Sequence, residues 1–149
     1  ILARENMVSI FWIAMAVIVA GNIIYHIAQK SIPQNANPLA SVIVSYVVAI
    51  AVSLFLLPKY LSGTTFLSAL RTLNWSSIIV GIGIVGIEFG FLLAYRAGWQ
   101  INVAALIASV LLALILLPIG TFAFQESWSW PKTVGLVLCM IGLVLLQRG

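Results

Sequence analysis

Residues 75–99 read WSSIIVGIGIVGIEFGFLLAYRAGW. The run is apolar and glycine-rich until it closes on Tyr95, Arg96 and Trp99. As a helix it is long enough to cross a hydrocarbon core of about 30 Å. Near its middle stands a single acid, Glu88. A carboxyl group at that depth costs about 2.5 kcal/mol or more, so it is retained where it is protonated, paired or in contact with a wet cavity. Glu88 is therefore the leading functional candidate, with a carboxyl group held for structure alone as the plain alternative.

The same helix has two unlike sides. At 3.6 residues per turn, Gly83, Gly86 and Gly90 fall about 140° to 200° around from Glu88. They predict a narrow groove for close helix contact. Glu88 shares its own side with Gly81, Ile84, Phe91 and Tyr95, so the expectation is a glycine face that packs and an opposite face carrying the acid and aromatic rings. Gly81, Gly83 and Gly86 also spell G-x-G-x-x-G, but no strand precedes the glycines and they lie inside an apolar helix, so a dinucleotide site is excluded.

Composition extends this reading to the whole chain. Its 149 residues are 63% hydrophobic and 7% charged, with a mean hydropathy of +1.19. Soluble domains carry about 25% charged residues. Long continuous apolar runs favour helices over a barrel, whose strands would alternate. The expected fold is an all-α integral membrane protein, a single membrane domain over residues 1–149 with five transmembrane helices, spans at about 8–29, 38–57, 75–97, 101–119 and 131–147. The net charge of +4 comes from lysines and arginines near the ends of apolar runs, which speaks against nucleic acid. The chain opens on Ile1, so residues 1–6 are expected to be a tail, tag scar or processed end, with Met7 a natural start. The first apolar run continues past signal-peptide length, so a cleavable leader is not expected.

The first span places Asn22, His26 and Gln29 on one face. They form a polar stripe suited to a cavity mouth, or simply groups near a membrane boundary. Lys30 can snorkel from the helix end. A connector, SIPQNANP at 31–38, leads to a second span in which Ser41, Ser45, Ala49 and Ser53 recur every four residues, a seam for a neighbouring helix. Tyr46 lies on a different face of that helix and is a cavity candidate. The connector at 58–74 offers Phe66, Leu67 and Leu70 as a partial helical turn on a membrane surface. The fourth span repeats the small-residue pattern in Ala105, Ser109 and Ala113, and Pro118 is expected to bend or end it. In the connector at 121–132, Trp128 and Trp130 are belt anchors and Glu126 is expected to act as a local cap. Pro131 suits a first helical turn. Gly135, Cys139 and Gly142 form another close-packing seam, with Cys139 read as a packing residue.

Five spans put the termini on opposite sides. Arg4, Lys59, Arg71 and Lys132 then face Lys30, Arg96 and Arg148, so the positive charge that sets orientation is nearly balanced. Such a chain can insert both ways, and two opposed copies would form an antiparallel dimer, a two-chain counterpart of an inverted repeat, with Glu88 facing a shared cavity. The glycines Gly83, Gly86, Gly90, Gly135 and Gly142 are the expected packing or dimer positions.

The order of these features resembles an EamA-type domain of the drug/metabolite transporter superfamily. The third helix ends in Tyr95 and small residues, and an apolar fourth helix ends near Pro118. Glu126 follows in FAFQESWSW, then Gly135 and Gly142 in GLVLCMIGLVLLQ. The resemblance covers almost the whole chain and implies one five-helix unit where most members have two, hence a homodimer. It is also distantly similar to the four-helix small multidrug resistance proteins, antiparallel dimers whose proton-binding acid lies in the first helix; here the acid lies in the third. The family's Glu at the place of Glu126 is read as structural.

The implied function is a multi-pass transporter in a cell membrane, a bacterial or archaeal inner membrane, exporting or exchanging small metabolites or amphipathic organic cations against protons. Proton and cation would compete for Glu88. Phe91, Tyr95 and Trp99 would offer π faces to the cation. Tyr46, Asn22 and His26 would add polar contacts, His26 as a possible proton relay. Small-molecule substrate, protons and membrane lipid are the expected partners, and no cofactor or metal is expected. A non-transporting assembly subunit or a flippase of lipid-linked substrate is the alternative. No nucleophile–base pair or metal-ligand spacing points to an enzyme.

Overall fold

The structure, a computed structural model, describes residues 2–61 and 63–148. The side chains of residues 2–8, 147 and 148 lie outside the described set, so the readings that rest on Ile1, Arg4, Met7 and Arg148 fall outside it too. The described chain is helical, without strands. Its elements are α1 (Leu2–Ser31), α2 (Pro38–Leu56), a 3-10 turn at Leu57–Lys59, α3 (Phe66–Leu70), α4 (Trp75–Arg96), α5 (Ile101–Ala123) and α6 (Trp130–Arg148). Among the described residues four stretches are long and apolar enough to cross a membrane: Ser9–Ser31, Pro38–Lys59, Trp75–Arg96 and Ile101–Ala123. The apolar part of α6, Trp130–Leu146, is shorter than these.

Local chemistry starts these helices. The Asn37 side chain accepts from the Leu39 and Ala40 N–H groups at 3.0 and 3.1 Å, and Pro38 takes the first helical position, where its missing N–H costs nothing. Thr65 caps α3 through the Ser68 N–H. Asn74 accepts from the Ser76 N–H at 3.0 Å and from the Ser76 hydroxyl at the start of α4. After α4 the chain turns at Gly98, φ +94°, a conformation that glycine adopts at little cost.

Most boundaries fall within two residues of those expected from sequence; α1 begins earlier, at Leu2. The end of α5 is a correction. Pro118 lies inside that helix, which runs on to Ala123. Proline denies the Leu114 carbonyl its usual donor, but leaving the helix there would forfeit several further backbone bonds. One turn on, the Thr121 hydroxyl donates to the Leu117 carbonyl at 2.9 Å, a bond made within its own helical turn. The helix then ends through Gly120, whose carbonyl accepts the N–H groups of Phe124 and Glu126 at 3.2 and 3.0 Å. Gln125 adopts φ 54° between them. Glu126 thus sits where a cap is needed, with its N–H as the capping group. Its carboxylate also covers Gly120: a Cβ there would lie 2.8 Å from Oε2.

The chain divides into two compact units, one of residues 1–30 and 97–149 and one of Ser31–Arg96. In the first, α5 packs on α6; in the second, α2 packs on α4. Among the described residues the buried apolar side chains are Val42, Leu92, Tyr95, Ala104 and Val110, while Ile24, Phe55 and Phe122 are 70%, 79% and 86% exposed. Every residue from Ser9 to Ile24 on α1 is exposed. Water would drive such a surface to aggregate, whereas hydrocarbon solvates it at no cost.

The glycine seams meet no neighbour within the described chain. A Cβ built on Gly83, Gly86, Gly90, Gly135 or Gly142 would meet nothing within 4 Å among the described residues, and Cys139 is exposed. Within the chain, close helix packing does not use these glycines.

Candidate functional site

In the Ser31–Arg96 unit, α4 turns its acid side toward α2. Gly81 and Val85 line a cleft of about 570 Å³ with Tyr46, Ala49 and Ser53 of α2, and Phe66 of α3 joins them. Glu88 stands one turn beyond Val85 and is half-buried. Further along, Leu92 and Tyr95 are buried, 1% and 3% exposed. Positions 81, 85, 88, 92 and 95 form one helical stripe. The expected division of α4 is therefore reversed within the chain: the acid face packs and the glycine face is open. The physical reason is that a carboxyl group loses by facing an apolar medium, whereas glycine loses nothing there.

Tyr46 is also corrected. It shares the cleft with Ala49 and Ser53 instead of lying on a separate face. Steps of four residues drift about 40° per step around a 3.6-residue helix, which carries the stripe begun at Ser41 round to within about 20° of Tyr46 at Ser53. The Tyr46 Oη is buried and finds no hydrogen-bond partner among the described residues. Phe91 and Tyr95 stack on each other, ring centroids 5.9 Å apart at 30°, so each ring already has an aromatic neighbour on one side.

Asn22, His26 and Trp99 belong to the other unit. Asn22 and His26 of α1 line a cleft of about 520 Å³ with Ala105 and Ser109 of α5, as a polar stripe at a cavity should. Their groups are engaged locally. Asn22 Nδ2 donates to the Ile18 carbonyl at 2.9 Å and the Ser109 hydroxyl to the Ala105 carbonyl at 2.8 Å. His26 meets Tyr25 edge to face at 5.0 Å. Gln29, the third residue of the stripe, is buried and donates to the Tyr25 hydroxyl at 3.2 Å. Trp99 offers its backbone: its carbonyl accepts Lys30 Nζ at 2.9 Å.

Arg96, expected as an anchor or an anion contact, grips the connector before α2. Its Nη2 donates to the carbonyls of Ala36 at 2.7 Å and Pro33 at 3.2 Å, within a turn closed by the Ala36 N–H on the Pro33 carbonyl. Ser53, Val85 and Phe66 are among the cleft residues that sequence reasoning missed as site members, and the angular closeness of Ser53 to Tyr46 is the one signal that could have suggested it. Among the described residues no group of three or more His, Cys, Asp or Glu could hold a metal.

No family model, curated protein or solved structure matches this chain. What it does must be argued from these two clefts and the residues around them.

Proposed function

We propose that the chain is a multi-pass membrane transporter of small amphipathic solutes, with Glu88 as the carboxylate for which proton and substrate compete. The observation that carries the reading is the half-buried Glu88 of α4, an otherwise apolar helix packed on α2, one turn beyond Val85 of an apolar cleft that Tyr46 also lines. A charge in such surroundings needs a proton or a counter-cation. If only one of the two can occupy it at a time, movement of one drives movement of the other. Phe91 lies on the same side of α4, stacked on the buried Tyr95.

In this reading α6 is the fifth span, the protein lies in a cell membrane and works as a homodimer, and it is of the EamA kind that its sequence resembles. The open glycines of α4 and α6 support a partner helix. Proteoliposomes holding the purified protein should take up or release an organic cation in response to a proton gradient. Glu88→Gln should abolish the coupled flux with expression intact; undiminished coupled flux in that variant refutes the proposal. The same open glycines also fit an assembly subunit, which predicts no flux from the purified protein.

A further inference from the structure

Tyr46 is the one polar group on the α2–α4 cleft whose hydroxyl is buried and yet satisfied by nothing among the described residues. A phenol in that condition forfeits a hydrogen bond unless water or a ligand supplies the partner. Around it the cleft is apolar, with Ile50, Leu54, Val85 and Phe66 on its walls. Its volume of about 570 Å³ lies within the usual range for small-molecule sites.

We propose that this cleft binds a hydrophobic amine carrying at least one N–H, its apolar body between α2 and α4 and its ammonium head donating to the Tyr46 hydroxyl oxygen. The inference rests on the transport reading above and narrows its substrate class. Glu88 supplies the charge complement. An ionised carboxylate only accepts hydrogen bonds, and a phenol oxygen has lone pairs to offer. The two oxygens therefore suit an NH₃⁺ or NH₂⁺ group. A quaternary ammonium presents a shell of methyl groups, can satisfy the carboxylate's charge, and leaves the Tyr46 oxygen as it was. A neutral alcohol of equal length could occupy the apolar walls but brings no charge to Glu88.

The test is binding of n-octylammonium, octyltrimethylammonium and 1-octanol to the purified protein in lipid nanodiscs, with empty nanodiscs as the partition control. The wild type should prefer octylammonium over its trimethyl counterpart by about tenfold, the scale of one hydrogen bond to a charged group, and should bind octanol most weakly. Tyr46→Phe, which keeps the ring and its volume, should bring the primary and quaternary amines to within about twofold of each other. Glu88→Gln should weaken both amines. Equal wild-type affinity for the two amines, or a Tyr46→Phe protein that keeps the full preference, overturns the inference while the Glu88 transport reading stands. Octylammonium binding unchanged by Glu88→Gln overturns both. Octanol binding as tightly as octylammonium marks the cleft as a lipid-filled crevice and overturns the inference. The ligand series on the wild type decides the matter even where a variant fails to fold.

Discussion

The clefts of the two units are similar in size, about 570 and 520 Å³, and both bring polar side chains against apolar walls, yet they treat those side chains in opposite ways. In the α1–α5 cleft Asn22 and Ser109 spend their donors on carbonyls of their own helices, four residues back. This kind of bond quiets a polar group without needing anything from outside. In the α2–α4 cleft the Tyr46 hydroxyl sits on a ring too long and stiff to reach back to its own backbone, and it remains unsatisfied among the described residues. Polar residues in an apolar helix are thus not equal signals of function. What separates them is whether a local partner exists.

Substitutions should rank accordingly. Glu88→Gln is expected to have the largest effect, reducing proton-coupled flux in proteoliposomes to that of empty vesicles; residual coupled flux would move the functional weight away from the α2–α4 cleft. Gly81→Leu comes next. A Cβ at Gly81 meets nothing within 4 Å, so a longer side chain should fill the cleft without disturbing the helices and weaken octylammonium binding by about tenfold. Unchanged affinity would show that the cleft is not where the amine body lies. Arg96→Gln should loosen the turn at 33–36 and cost about 1 to 2 kcal/mol for the charged hydrogen bonds to the Ala36 and Pro33 carbonyls, read as a lower unfolding temperature with substrate selectivity unchanged. Asn22→Leu should do least, altering flux by less than about twofold because the amide it removes is already satisfied by the Ile18 carbonyl. A large loss in Asn22→Leu with a small one in Glu88→Gln would invert the comparison between the clefts.

Much of the local structure was legible from residue order. The polar connector with Pro38, the helical turn at Phe66–Leu70 and the spans either side of Gly98 appear in the structure close to where composition and breakers put them. Asn22 and His26 do line a cleft together, as their spacing required. The roles of Arg96 and of the glycines were less legible. A guanidinium at a helix end reads alike whether it meets water, lipid phosphate or two carbonyls 60 and 63 residues away in the chain. A glycine stripe announces that something can approach closely but not which helix does.

Sequence alone determined that the chain is helical and apolar, where its long helices run, and that Glu88 is the acid out of place. These follow from periodicity, breakers and the cost of charge, which are properties of neighbouring residues. Only the tertiary structure decided that α4 turns Glu88 toward α2, that Tyr46 shares a cleft with Ala49 and Ser53, and that α5 continues through Pro118. A helix that is apolar on every side has no polar face to orient it. Which side it buries is settled by how its side chains pack across the contact, and that packing is invisible in the order of residues along either helix.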